Sequence, residues 1–395
     1  MKATFHLAAT LGLAIALPSL HCAAAPLYQV LDLSAGAYDY AGGTVATGLN
    51  DRGQVIGLLE AGTLLPQGFV TQPNATIHLP TDYVEQNPNI NFFSRPTGIN
   101  SIGQITGQGS AGPWRWDPGP VPGSQVGVFL ARNLPSQLQD GSGTAINEQG
   151  QVAGYLGEGP DFRTSPNSKI DLTTDKIGTT SADGLNSLGQ VVGIEYKSYV
   201  NGIPQSVAYR TAPNSPYNPA TDDLGTLGGS SGAAHAINTS GQTVGDSLTG
   251  NSFTHAFLST PNGVPVHLTD LGTLGGSSSS ATSINEHCDV VGNSLVSSQN
   301  GNIQHGFLYS AGIMLDLNDL LGGAAGGMII VSAAGINNRG QIAATGQFGV
   351  EVNGELVPGG TEYALLLTPI PEPSSIILAT VGFIGMAWGW RRRKL

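Results

Sequence analysis

Cysteine is nearly absent from this sequence: there are two in 395 residues, Cys22 and Cys288. Cys22 lies in an apolar leader, so the body keeps one thiol and an internal disulfide is excluded. The fold must stand on its core and on the pairing of its strands. Charged residues are scarce at 11%, and aromatics make up 7%. No stretch from residue 26 to 367 sustains a helical period, which excludes a helical body. The sequence has no H-E-x-x-H, paired C-x-x-C, EF-hand loop or G-x-S-x-G elbow. Gly228 and Gly229, like Gly275 and Gly276, are followed by neither a lysine nor a helix. They read as turns between units and not as phosphate loops. No cofactor, metal or catalytic residue is assigned.

Basic residues are few and sit unevenly. Setting aside Lys2, Glu372 and the tail residues Arg391, Arg392, Arg393 and Lys394 leaves ten basic and 26 acidic residues, a net of −16. A body this acidic repels nucleic acid and anionic membrane, so neither is expected as its partner.

What the chain has in abundance is glycine, 57 residues of it, with Ser, Thr and Val. That composition suits short strands joined by tight turns. It also has repetition. Residues 223–231 recur unchanged as 270–278, and a shorter text recurs throughout: aliphatic, Asn, two variable residues, Gly, Gln, then an aliphatic strand ending in Gly. Aligned on the Asn, the copies fall at Asn50, Asn100, Asn147, Asn186, Asn238, Asn285 and Asn337, seven units of about 48 residues. A type I turn takes Asn first and Gly fourth, which assigns a structural role to the asparagines and to Gly53, Gly103, Gly150, Gly189, Gly241 and Gly340. The sixth copy has Cys288 in place of Gly, and the turn there is expected to change type.

Each unit holds about four strands. The fourth is expected at residues 77–79, 133–134, 170–172, 223–227, 270–274 and 315–317. Residues 28–33 make a fourth strand with no preceding three, and the last copy has three without a fourth. Joining them completes a seventh blade from both ends. The expected fold is therefore all-β: a seven-bladed β-propeller over residues 26–368, closed by pairing of the N- and C-terminal strands. Six blades plus a stray hairpin is the alternative.

The ends carry addresses. Residues 1–25 have a positive start, an apolar stretch and small residues at Ala23, Ala24 and Ala25, the parts of a secretory signal peptide. Residues 369–375 form a linker containing Pro371, Glu372 and Pro373. Residues 376–395 add an apolar run and the basic cluster Arg391, Arg392, Arg393 and Lys394. Fifteen apolar residues rise about 22 Å as a helix, short of a hydrocarbon core of about 30 Å. The plain reading is a single-span anchor. The three parts in this order resemble the PEP-CTERM sorting signal, and the repeats resemble the HAF-type extracellular repeat family. The first resemblance implies an exosortase-like sorting enzyme as partner, transient membrane insertion of the helix, and cell-surface or extracellular placement in a Gram-negative bacterium. The second implies export and repetition and no defined activity.

For function, the two readings come from different classes. One is an exported binding or structural propeller meeting exopolysaccharide or surface proteins, with Trp114, Trp116, Tyr196 and Tyr199 as candidate stacking residues on its loops. The other is a glycosidase or lyase, which needs acidic residues gathered at one end of the ring. His255 and His305 hold equivalent blade positions and are expected to hydrogen-bond within their own blades.

Overall fold

The computed structural model describes residues 27–36, 43–60, 66–77, 94–109, 112–118, 125–179, 181–321 and 326–370. The signal peptide, the PEP motif with its apolar run and basic cluster, and His78, Phe92 and Phe93 lie outside them. The body is a seven-bladed β-propeller.

Each blade starts with the strand that leads into the repeated Asn: Thr44–Leu49, Ser94–Ile99, Gly141–Ile146, Ser181–Leu185, Gly228–Ile237, Ser279–Ile284 and Met328–Ile336 for blades 1 to 7. Every one of these first strands touches the first strands of the blades on either side, so together they form the inner wall of the ring. A second and a third strand follow outward in antiparallel pairing, as in Val191–Val200 and Ile203–Arg210 of blade 4.

The last blade is built from both ends of the chain. Glu355–Pro369 pairs on one side with Ile342–Val352 and on the other with Tyr28–Asp32, in the register Tyr28 to Pro369 through Asp32 to Leu365. Tyr28 is buried there.

Several fourth strands lie elsewhere than expected. In blade 2 it is Gln125–Phe129, ahead of residues 133–134. In blades 5 and 6 it is Leu268–Asp270 and Ile313–Asp316, so pairing begins before the Asp-Leu text and stops at the Asp. Blade 4, with Asp223–Gly225, and blade 7, with Tyr28–Asp32, start theirs where the sequence reading put them. Residues 170–172 form no strand, and blade 3 makes a single outer bridge from Phe162 to Lys176.

Close packing explains the Gly that ends the second-strand motif. A Cβ on Gly57, Gly107, Gly154 or Gly193 would strike a carbonyl of its own first strand. Opposite these glycines, on the third strand, stand Phe69, Trp114, Phe162 and Tyr209. Their rings cover the bare backbone and fill the space between blades.

Candidate functional site

The repeated asparagines are buried, at 2 to 4% exposure. In each blade the Asn N–H donates to the carbonyl of the residue four on, and the residue three on donates back to the Asn carbonyl. The side-chain Oδ1 accepts the backbone N–H of the residue four on, as Gln54 to Asn50 at 3.0 Å and Gln341 to Asn337 at 3.0 Å. One hydrogen of Nδ2 goes to the residue four on, for example to Gln190 Oε1 from Asn186 at 3.0 Å.

The other leaves the blade. Asn50 donates to the Asn100 carbonyl at 3.0 Å, Asn100 to Asn147 at 2.9 Å, Asn147 to Asn186 at 3.0 Å and Asn186 to Asn238 at 3.0 Å. Asn238 donates to Asn285 at 3.3 Å, Asn285 to Asn337 at 3.3 Å, and Asn337 to Asn50 at 3.1 Å. The belt closes on itself. Every amide group in it is used, which leaves no free donor for a ligand.

The turn at Cys288 keeps its type. Cys288 takes φ 68° and its N–H still reaches the Asn285 carbonyl, at 3.3 Å. In blades 1, 3, 4 and 5 the turn Gly packs against an Asn of the outer turn (Asn74, Asn167, Asn214 and Asn262), where a Cβ would collide. Blade 6 has no such Asn. Its outer turn is the tight pair Ala311 and Gly312, so a Cβ fits and Sγ reaches Gln242 Oε1 at 2.8 Å.

Above the belt, a small polar cavity of about 140 Å³ opens on the axis, lined in part by Asp51, Ser101, Glu148, Glu286 and Asn338. Its carboxylates are engaged across blade boundaries. Glu148 accepts from the Ser101 N–H at 3.0 Å, Glu286 from the Thr239 N–H at 3.1 Å, and Asp51 from the Asn338 N–H at 2.9 Å.

Deeper on the inner wall, each first strand carries a bulge three residues before its Asn. Four bulges hold threonine, whose hydroxyl donates to a carbonyl of the next blade: Thr47 to Pro96, Thr97 to Gly143, Thr144 to Ala182 and Thr282 to Ala333. Blades 4 and 5 substitute Asp183 and His235. His235 Nε2 lies 2.7 Å from Asp246 and Nδ1 lies 3.8 Å from Asp183. Burial alone lowers the imidazole pKa, but the hydrogen bonds and charges of Asp183 and Asp246 outweigh it and carry it up to about 9. Ser280 of blade 6 also donates to Asp246, at 2.9 Å. The serine meets the carboxylate and not the imidazole, so this is an ion pair of blade 5 that ties in blades 4 and 6 through Asp183 and Ser280, and not a nucleophile with its base. Among the described residues, no group of three or more His, Cys, Asp or Glu is placed to hold a metal ion.

His255 and His305 each pair within their own blade, Nδ1 to Asp270 at 2.9 Å and to Asp316 at 2.6 Å.

The aromatics divide. Trp114 is 3% exposed, packed with Ile56, Val70 and Ile105 between blades 1 and 2, so it is a core residue and offers no surface to a ligand. Trp116 is half-buried beside it, edge-on at 5.8 Å. Tyr196 and Tyr199 are 57% and 73% exposed on the long hairpin of blade 4, whose tip is the Asn201 and Gly202 turn with both φ positive, at 52° and 80°. The register sets Tyr196 opposite Ser206 and Tyr199 opposite Pro204, with a bulge between them. Two residues, 197 and 198, standing against the single Gln205 put both rings on one face. Lys197 holds the hairpin's flank through Tyr217 Oη at 2.6 Å and Asp223 at 3.2 Å.

The ring has two unlike ends. First strands run toward the Asn turns, so those turns and the third-to-fourth-strand turns share one end, the Asn face. The second-to-third-strand hairpins of blades 4 to 7 share the other. Both ends of the described body lie at the Asn face, where the Ile370 N–H donates to the Leu27 carbonyl at 2.7 Å.

Residues 369–394 match the model of the PEP-CTERM protein-sorting motif. The match implies export, processing by an exosortase-type enzyme, and sorting to the cell surface or beyond. No curated protein matches the chain. Among the described residues no helix is long and apolar enough to cross a membrane; the apolar run expected to do so lies outside them.

Proposed function

We propose that this protein is a surface-displayed binding propeller that presents its hairpin face outward, to exopolysaccharide of the surrounding matrix. The observation that carries the reading is the opposition of the two ends. The sorting motif begins where the last strand stops, on the Asn face, and the long hairpins project from the other. Only six residues, 370–375, separate that strand from the apolar run, at most about 20 Å of chain. During sorting the Asn face is therefore turned to the membrane and the hairpins away from it.

Tyr196 and Tyr199 are the residues assigned to the ligand. Two rings on one face of a turn-rigidified hairpin suit stacking on successive sugars, and a neutral polymer meets no repulsion from the acidic body. The carboxylates at the axial mouth serve as acceptors for neighbouring backbone amides, which favours a joint over a hydrolytic pair. No catalytic step is included in the reading.

The test is binding of the purified body to matrix polysaccharide from its own cells, compared with the Y196A/Y199A variant. Retention by the polymer, lost in the variant with the fold intact, supports the proposal. Retention by surface proteins alone, or equal retention of both forms, overturns it.

A further inference from the structure

Among the described residues, blade 3 has the shortest third strand and a thin outer edge. Its third strand, Phe162–Arg163, is two residues long, and beyond it stands one bridge, to Lys176. Its boundary with blade 4 also encloses a carboxyl group in acidic company. Asp161 is 2% exposed. The Thr179 hydroxyl lies 2.8 Å from its Oδ2 and 3.0 Å from the Tyr209 hydroxyl, which donates to the Ser181 carbonyl at 3.1 Å.

The charged groups that act on Asp161 across the boundary are both acidic: Asp183 on the first strand of blade 4 and Glu195 on its second. The nearby cations are directed elsewhere. Arg163 gives its guanidinium to the Gly189 and Ser215 carbonyls, at 3.0 and 3.1 Å, Lys176 is exposed, and His235 pairs with Asp183 at 3.8 Å and Asp246 at 2.7 Å and not with Asp161.

We propose that the boundary between blades 3 and 4 is a pH-responsive seam, closed while Asp161 is protonated and opened locally when that proton passes to solvent. A neutral carboxyl keeps its contact with the Thr179 hydroxyl and carries no charge, whereas a carboxylate there is a buried charge in the field of two others. Water reaching it is the simplest relief, and the thin outer edge of blade 3 offers little resistance to that opening. Burial raises the Asp161 carboxyl, the Thr179 hydrogen bond pulls it partly back, and Asp183 and Glu195 add to the rise, to about 7. The switch thus falls within the range an extracellular medium spans. Glu195 adjoins Tyr196, so opening also loosens the base of the blade 4 hairpin; the seam does not depend on what that hairpin binds.

Amide hydrogen exchange of the whole body at pH 5.5 and 8.5, corrected for intrinsic exchange, tests the seam. Peptides covering residues 153–163 and 181–196 are expected to lose about tenfold or more in protection at the higher pH, with a midpoint near 7, while blades 5 and 6 hold. Asp161→Asn is expected to abolish the difference, and Glu195→Gln to shift the midpoint to lower pH.

 Glu195 is a like charge that raises the Asp161 carboxyl, so removing it moves the midpoint to lower pH. Equal protection at both pH values in the parent protein, an undiminished loss in Asp161→Asn, or a loss shared by every blade overturns the proposal. Should Asp161→Asn fail to fold, the parent midpoint and its downward shift in Glu195→Gln decide the matter.

Discussion

Asn337 in the last blade donates its side-chain amide to the backbone carbonyl of Asn50 in the first, across 287 residues of sequence. This bond completes a belt in which each blade's turn residue is also its neighbour's fastening. Asn100→Ala removes an Oδ1 acceptor and two Nδ2 donors from a buried site. A loss of about 2–3 kcal/mol is expected, from roughly 1 kcal/mol per buried hydrogen bond. Asn100→Asp should cost more, because it sets a carboxylate against the Asn147 carbonyl. Urea unfolding of both variants checks the order.

Gly189 and Cys288 occupy the same turn position with unequal freedom. Gly189 has φ +72° and packs on Asn214, so Gly189→Ala meets both backbone strain and a collision. A cost of about 2 kcal/mol or more is expected. Cys288→Gly gives up one thiol hydrogen bond and relieves a positive φ, and is expected to stay within about 1 kcal/mol of the parent. Thermal melts of the pair test the contrast.

Removing residues 27–32 deletes the strand that closes blade 7. It uncovers the edge of Glu355–Pro369 and the pocket filled by Tyr28. The expected result is loss of cooperative unfolding together with aggregation through the exposed edge. Size-exclusion chromatography and calorimetry of the truncated body measure it.

Stability should fall as pH rises, in two steps. Asp161 stays protonated up to about 7 in the folded ring but ionises near 3.8 in the unfolded chain, so the folded state holds the extra proton between those values. Its share is present at low pH and lost across that window. His235, raised from 6.5 to about 9, contributes fully below 6.5, and its share is lost as pH rises through 9. Urea midpoints from pH 5 to 10 should decline accordingly. The second step should vanish in His235→Gln.

Much of the ring was legible because its unit is written seven times. The spacing of Asn50 through Asn337 gave the number of blades, and the unpaired residues 28–33 gave the closure. Trp114 misled because an aromatic in a strand reads alike whether it faces solvent or covers a glycine; its pairing opposite Gly107 decides the matter. The fourth strands of blades 2, 5 and 6 misled because outer strands pair by register with the third strand, and the Asp-Leu text marks only where that pairing stops. The replacement of the bulge threonines by Asp183 and His235 was visible in the aligned copies, three residues before each Asn. What it joins was not, since Asp246 and Ser280 are brought together only when blades 4, 5 and 6 stand side by side.

The main-chain bond from Ile370 to Leu27 has a consequence for how the molecule is to be regarded. With residues 27 and 370 in contact, the propeller body is in connectivity a circle cut once, and the position of the cut is independent of the ring. A body joined from residue 370 to 27 and reopened between Asn201 and Gly202 would keep every blade while moving the point of attachment to the opposite end. Which end of such a circle looks outward is decided by where it is cut.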